Sequence, residues 1–188
     1  MANTMTRIAR RQFISGVGTI SLGAGITPAA VTEGSQTAPT WPGSVVHAGE
    51  AQRIPPTPDG RTITVNIDSQ STPHVRMSMI AEDLPPNAEI RVHLHQREDE
   101  IIIIRMGNGI ATLGDREFAV AAGATIYVPQ GVWHGLRNSG QDTLGMSAIY
   151  SPPGFEQIFK QRLLRPNRTP AEIESDRKKH GIVYRTMP

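Results

Sequence analysis

Residues 93–107, HLHQREDEIIIIRMG, contain the pattern that decides the fold of this chain. His93 and His95 are two positions apart, and Glu100 follows after a short polar run. Side chains two apart on a β-strand point to the same face of a sheet, so both imidazoles are predicted to face one side. The polar run at 96–99 is predicted to form a turn that brings Glu100 back beside His95.

A second block, residues 123–138, reads GATIYVPQGVWHGLRN and contains His134. This histidine is predicted to close the site from a later strand, across the sheet. The chain has no cysteine, so a thiolate site is excluded. Three imidazoles and one carboxylate suit a divalent transition metal better than Mg²⁺ or Ca²⁺. The predicted ligands are His93, His95, Glu100 and His134.

Short apolar runs that alternate with polar residues extend outward from these blocks, separated by turns rich in Gly, Pro and Asn. Many short strands at this spacing predict an all-β barrel over residues 61–150. The predicted strands are Thr62–Ile67, Val75–Ile80, Glu89–His95, Glu100–Met106, Gly109–Leu113, Glu117–Val120, Thr125–Val128, Val132–Asn138 and Thr143–Tyr150. The side chains expected to line the barrel are Met77, Met79, Ile102, Ile104, Tyr127, Trp133, Leu136 and Met146.

The pattern changes after residue 150. Apolar residues recur at helical spacing over Phe155–Leu164. Thr169 followed by Pro170 is typical of a helix start, and Gly181 is typical of a helix stop. Residues 151–188 are therefore predicted to be a C-terminal tail with one or two helices packed outside the barrel.

The first 60 residues divide into two segments. Residues 1–30 combine Arg10-Arg11, a weakly apolar glycine-rich stretch and small residues at 27–30, which resembles a twin-arginine export signal. The alternative is a short amphipathic or disordered N-terminus that happens to contain two arginines. The apolar stretch is too short for a stable membrane anchor.

Residues 31–60 are rich in Pro, Gly, Ser and Thr and are predicted to be a linker or N-terminal arm. The expected location is the periplasm or the medium.

The formal charge of the chain gives little functional guidance. The chain has 19 basic and 17 acidic residues, a net charge of +2. Three of the basic residues, and no acidic one, lie in the predicted signal. The remaining chain is nearly neutral, so no electrostatic attraction to nucleic acid or to an anionic membrane is expected.

The two histidine blocks together resemble the two sequence motifs of the cupin family. The positions that resemble the first motif are His93, His95, Glu100 and Gly107. The positions that resemble the second are Gly123, Pro129, Gly131, His134 and Asn138. One position departs: the family usually has glycine where this chain has Asn87, a residue that tolerates positive φ. The resemblance implies a double-stranded β-helix, or jelly-roll, barrel that binds one divalent metal. Fe or Mn is favoured, with Ni, Cu, Co and Zn as alternatives.

The resemblance also implies a function. The segment Ser151–Glu156 is similar to the corresponding segment of small bacterial cupins grouped with quercetinases. This implies a dioxygenase acting with O₂ on a small substrate that chelates the metal through adjacent oxygens, such as an enol, a flavonol or a β-dicarbonyl. Glu100 would be a metal ligand or a catalytic base. Arg91 has the strand parity of His93 and is predicted to bind substrate.

A second class of function stays open, because jelly-roll barrels host many chemistries. The same site could catalyse a metal-dependent isomerase, lyase or hydrolase reaction, or bind a small molecule or metal without catalysis. Homodimerisation is expected from the resemblance to cupins, whose sheets often pair.

Overall fold

The structure, a computed structural model, describes residues 43–47, 49–72 and 74–186. The predicted export signal and most of the predicted linker lie outside the described residues. The strands are β1 Gln52–Ile54, β2 Thr62–Ile67, β3 Ser78–Leu84, β4 Glu89–His95, β5 Asp99–Met106, β6 Asn108–Leu113, β7 Arg116–Ala121, β8 Thr125–Val128, β9 His134–Asn138, β10 Leu144–Ser151 and β11 Ile182–Tyr184. The helices are α1 Gln157–Leu164 and α2 Pro170–Lys179.

The strands form two antiparallel sheets. Six strands make one sheet in the order β1-β2-β3-β10-β5-β8, and five make the other in the order β11-β4-β9-β6-β7. Sequence neighbours such as β4 and β5 belong to different sheets, so the chain crosses repeatedly from one sheet to the other. This arrangement confirms the predicted all-β jelly roll with C-terminal helices.

The core lies between the inward faces of the two sheets. On β5, Ile102 and Ile104 are buried, whereas Ile101 and Ile103 are exposed, which is the period-two alternation of a half-buried strand. The prediction that Met77 and Tyr127 line the barrel was wrong. Met77 precedes β3 and is 50% exposed, and Tyr127 has the outward parity of β8 and is 55% exposed. The inward position on β8 is the buried Val128.

Strand β3 differs from its predicted bounds in a way that matters for the site. The predicted strand covered Val75–Ile80. The strand instead continues to Leu84, and its alternate residues Ser78, Ile80, Glu82 and Leu84 are all buried. A carboxylate therefore occupies an inward position of the sheet.

Two turns show why particular residues are required. Asn87, at the position where the cupin motif has glycine, adopts φ 66°, so this asparagine makes the left-handed turn that the sequence predicted. Gly107 has φ +80°, and a Cβ there would collide with the carbonyl oxygen of Thr143. Gly107 therefore lets the β5–β6 turn pass close to the chain that enters β10.

The C-terminal tail adds both helices and one strand. Helix α2 begins with a capping box in which Thr169 and Glu172 bond each other's backbone N–H groups, and His180 is its C-cap. Helix α1 contacts β1, and α2 contacts β11. The strands β1 and β11 were not predicted, since three residues are too few for a periodic signal. Among the described residues, neither helix is long and apolar enough to cross a membrane.

Candidate metal centre

Strand pairing brings the three histidines together. On β4, His93 and His95 have the same parity and point inward. In the antiparallel pairing of β4 with β9, His93 lies directly opposite His134. The loop before His134 is anchored to the same strand, because the Gly131 N–H donates to the carbonyl of His95 over 2.8 Å. The positions of the three imidazoles therefore follow from one strand pair and one loop.

The three side chains form a compact buried cluster. One potential ligand atom from each of His93, His95 and His134 lies within 4.8 Å of the other two. Their exposed fractions are 5%, 2% and 2%. Ring centroids are separated by 4.3 Å for His93 and His134 and by 4.9 Å for His93 and His95. Three imidazoles at this spacing can bind one metal ion.

Backbone carbonyls fix the tautomers of two of these histidines. Nδ1 of His93 lies 2.8 Å from the carbonyl oxygen of Arg91, and Nδ1 of His134 lies 2.9 Å from that of Val132. A carbonyl oxygen only accepts, so each Nδ1 must carry the proton. In the neutral imidazoles Nε2 then presents a lone pair toward the cluster, which is how outer hydrogen bonds orient histidine ligands in metal sites.

Glu100 lies against the same nitrogens. Its Oε2 is 2.8 Å from Nε2 of His134 and 3.3 Å from Nε2 of His95. Despite this proximity, Glu100 Oε2, His134 Nε2 and both ring nitrogens of His95 lack a partner with hydrogen-bond geometry among the described residues. Buried polar atoms without partners are rare, because each costs free energy. A cation held between the carboxylate and the imidazoles would satisfy them together, so the residues present fit a metal ion.

The pKa values in the cluster indicate the same arrangement. Burial, with smaller contributions from His134 and His95, lowers the pKa of His93 to about 3, so this imidazole stays neutral. Burial opposes ionisation of Glu100, but His134 and His95 outweigh it and hold its pKa below the ordinary value. Burial also opposes a charged His134, yet Glu100 raises the pKa of His134 above the usual value. The neutral His93 and the ionised Glu100 are in the forms that bind metals, whereas the raised pKa of His134 means that a metal must displace a proton from this imidazole.

The cluster opens onto a cavity of about 620 Å³ between the sheets. His93, Glu100 and His134 line this cavity, while His95 lies behind them and packs edge-on against Phe155 at 4.3 Å. Most of the other lining residues are apolar. They include Ile102, Leu136, Met146, Ile158 and Phe159. A small molecule in this cavity would therefore meet the ligand atoms from one side.

Several polar residues at the site were missed by the sequence reading. Arg61 bonds the buried Glu82 over 3.1 Å and Asp59 over 2.9 Å, and Arg61 and Glu82 both line the cavity. Burial raises the pKa of Glu82 to about 7, because the partial compensation by Arg61 is smaller than the desolvation. No sequence signal pointed to Glu82, because the expectation that Met77 and Met79 face inward gives Glu82 the outward parity, whereas the structure buries Ser78, Ile80 and Glu82 and turns Met79 outward.

Tyr184 was also missed, since β11 is too short to predict. It pairs with His93 across β11 and β4, and the two rings stack at 5.6 Å. The guanidinium groups of Arg91 and Arg177 lie over the same tyrosine ring at 5.2 and 4.5 Å. Arg91, the predicted substrate-binding residue, is thus exposed against Tyr184 and is not among the residues that line the cavity. Its binding of substrate stays a prediction.

The chain folds as a jelly-roll barrel, and its histidine cluster lies between the two sheets. Together these features define a class of barrel proteins that can bind a divalent metal. Comparison with known proteins shows which family it is. Residues 81–150 match the family model described as a cupin domain. An uncharacterized protein of Methanocaldococcus jannaschii is 30% identical over 106 residues, which is 55% of this chain and 85% of that protein. The chain therefore belongs to the cupin family.

Other similar proteins agree with this assignment. A Thermotoga maritima protein named "Oxalate-binding protein" is 25% identical over 91 residues, 48% of this chain and 75% of that protein. The structure of KdgF from Halomonas aligns with a TM-score of 0.53 and 17% identity, over 61% of this chain and 98% of that one. A predicted oxalate decarboxylase from Thermotoga maritima aligns with a TM-score of 0.51 and 22% identity, over 58% and 99%. At these identities the structural likeness shows the fold alone.

Proposed function

We propose that this cupin is a metal-dependent enzyme of dioxygenase type, resembling quercetinases. Its substrate would be a small molecule that chelates a metal through adjacent oxygens, such as an enol, a flavonol or a β-dicarbonyl. The observation that supports this most is the position of the cluster. The potential ligands His93, Glu100 and His134 line a largely apolar cavity of about 620 Å³, which leaves room for a substrate beside them.

The ligand set would be His93, His95, His134 and Glu100. A divalent metal bound there acidifies a coordinated hydroxyl and polarises an adjacent carbonyl. Glu100, which touches two of the histidines, would either stay a ligand or accept the proton that the substrate releases. Tyr150 lines the cavity, and burial followed by the charge of Glu100 raises its pKa well above the ordinary value. Its hydroxyl therefore stays protonated and can donate to a substrate oxygen.

An oxygen-electrode assay tests the dioxygenase proposal. Protein loaded separately with Fe, Mn, Ni or Cu is offered a panel of flavonols and β-diketones. Oxygen uptake is expected with at least one metal and one substrate, and it should disappear in the His134→Ala variant under the same loading. An absence of uptake across the whole panel would overturn the dioxygenase proposal.

A non-redox function is the second candidate, and Glu82 favours it. A buried carboxyl with a pKa of about 7 in the cavity can donate or accept a proton near neutral pH. The names given to the Thermotoga maritima sequence relative and to the Thermotoga maritima structure both concern oxalate, a chelating acid. The same assay separates the candidates if substrate is also quantified by chromatography. Consumption of a chelating acid without oxygen uptake would favour an isomerase, lyase or hydrolase, and tight binding without consumption would favour a binding protein.

We also propose Fe or Mn as the resident metal, with acquisition before export. The affinity of nitrogen and oxygen sites follows a series that peaks at Cu, so folding where copper is scarce would avoid the wrong metal. Elemental analysis of protein purified from its own periplasm should find Fe or Mn. Dominant copper in that preparation would contradict the proposal.

Export through the twin-arginine signal at residues 1–30 is part of this proposal. Replacing Arg10 and Arg11 by lysine keeps the charge but removes the arginine pair. The double variant is expected to accumulate in the cytoplasm, whereas the unchanged chain should be recovered from the periplasmic fraction. Equal periplasmic recovery of both chains would show that the two arginines do not direct export.

A further inference from the structure

Four arginines line the cavity of the metal centre, and three of them have carboxylate partners. Arg61 pairs with Asp59 and Glu82, as described above. Arg168 lies 2.7 Å from Asp176, and Arg177 lies 3.3 Å from Glu174. Arg61 and Arg168 bond buried carboxylates, whereas the Arg177–Glu174 pair lies within α2 and is exposed to solvent, so its attraction is weaker.

Arg162 on α1 is the exception. Its Nη2 donates to the backbone carbonyl of Pro56 over 2.8 Å, and this is its one hydrogen bond within the described part of the chain. No carboxylate of the described residues lies within 4.0 Å of it, although it is half-buried and lines the cavity. A guanidinium has further N–H donors in the same plane, and these are free to bind a ligand.

The surroundings do not favour an unpaired charge at this position. Burial, followed by the positive charges of Arg168 and Arg61, lowers the pKa of Arg162 below its ordinary value. Asp59 and Glu82 act in the opposite direction but do not cancel this effect. Arginine nevertheless stays protonated in proteins. An anion bound in the cavity would remove the unfavourable contribution.

Arg162 lines the same cavity of about 620 Å³ as three of the proposed ligands, His93, Glu100 and His134. This volume is in the range of pockets that enclose one small organic ligand. One molecule could therefore chelate at the histidine cluster and place an anionic group against Arg162. The planar guanidinium is suited to a carboxylate, which can accept two parallel N–H bonds.

We propose that Arg162 binds a carboxylate of the substrate, so that the substrate class is small oxygen-chelating acids with a separate carboxylate. This inference rests on the proposed function, since it assumes chelation at the metal. The opposing explanation is that Arg162 only fastens the loop at Pro56 to α1. A purely structural arginine would not distinguish an anionic ligand from its neutral analogue.

Matched pairs of chelators test the proposal by calorimetry on the metal-loaded protein. Kojic acid and comenic acid share a hydroxypyranone and differ mainly in a hydroxymethyl group against a carboxylate. 3-Hydroxyflavone and its 4′-carboxylic acid form a second pair of longer reach. The carboxylated member of at least one pair is expected to bind about tenfold more tightly to the wild type. Arg162→Gln should abolish this preference while changing the affinity of the neutral member less than about twofold.

Arg165→Gln is the matched control. Arg165 is the C-cap residue of the same helix, α1, and pairs with Asp176 over 2.6 Å, but it does not line the cavity. This variant should keep the preference, and elemental analysis should show equal metal in all three proteins. Preference retained in Arg162→Gln, or absent from the wild type in both pairs, would overturn the role of Arg162. If none of the chelators binds the metal-loaded wild type, the proposed chelation fails as well, so the two failures are distinguishable.

Discussion

The metal centre differs from the arginine-lined end of the cavity, which comprises Arg61, Glu82, Arg162 and Arg168, in how buried polar groups are paired. At the metal centre, His95, Glu100 and His134 present atoms that have no hydrogen-bond partner. At the other end, the buried carboxylate of Glu82 is bonded by Arg61. Both groups of residues contribute side chains to the lining of one cavity. The two ends therefore differ in whether their buried polar atoms still require a bonding partner.

This difference separates a ligand site from a structural network. Leaving a buried polar atom unpaired costs about 1–3 kcal/mol, and more for a charged group. Several such atoms at one point are stable only if something binds them, and His93 and His134 are already oriented for that by backbone carbonyls. The ion pair of Arg61 and Glu82 requires no added group. Mutations at the two ends should therefore change different measured quantities.

The largest effect is expected from the loss of a histidine. His93→Ala or His134→Ala removes one of three clustered imidazoles and should abolish stoichiometric metal, as measured by elemental analysis after purification. His47→Ala, at an exposed position outside the cluster, is the control and should keep the wild-type metal content. Full occupancy in either cluster variant would show that the assigned ligand set is wrong.

Glu82→Gln should instead change stability and its pH dependence. The folded-state pKa of about 7 is above the unfolded value of 4.5, so the folded protein binds this proton more tightly. The stability that the Glu82 carboxyl contributes to the wild type is fully present below pH 4.5 and is lost as pH rises through 7. Glutamine mimics the protonated carboxyl. Relative to wild type, the variant should therefore gain up to about 3 kcal/mol between pH 4.5 and pH 8.

Urea unfolding of both proteins at pH 5 and pH 8 measures this gain. The free energy of unfolding of the wild type is subtracted from that of the variant at each pH, and the two results are compared, so the contributions of other titrating groups cancel. Metal content should not change, since Glu82 is not in the histidine cluster. A constant free-energy difference across this range would mean that Glu82 is ionised throughout. In that case the two ends of the cavity would not differ as argued.

The sequence predicted the metal end well because its information is local. His93 and His95 share one strand, and the turn to Glu100 follows within five residues. His134 could be assigned through the resemblance to the second cupin motif, and the structure places it opposite His93. The left-handed turn at Asn87 was predicted from the same motif, and φ 66° confirms it.

The arginine end could not be predicted in this way, because its residues come from distant parts of the chain. Arg61 meets Glu82 through the pairing of β2 with β3, and Arg162 enters the cavity from a helix outside the barrel. Tyr184 reaches His93 through a three-residue strand. Arg91 shows the limit of strand parity, since the register of β4 shifts between Ile90 and His93 and Arg91 lies exposed against Tyr184.

Tyr184→Ala should have an intermediate effect that links the two ends. The ring stacks on His93 and lies under Arg91 and Arg177. Without it, the imidazole loses a packing partner, so metal affinity should fall about tenfold, in the range found for residues that orient ligands. Tyr184→Phe keeps the ring and should bind metal like the wild type. Competition with a chelator measures all three proteins, and equal affinity of Tyr184→Ala would exclude an orienting role.

Thr169→Ala is expected to have the smallest effect and to act first on helix α2 and its Arg168–Asp176 pair. Thr169 accepts from the Glu172 N–H over 3.3 Å, while the Glu172 side chain accepts from the Thr169 N–H over 2.8 Å. Removing the cap should lower the free energy of unfolding by about 1 kcal/mol. Helix α2 carries Asp176, the partner of Arg168, so its loosening should affect this network before the histidines. Stability in urea should therefore fall while metal affinity stays unchanged, and a parallel loss of both would show that the two ends unfold as one unit.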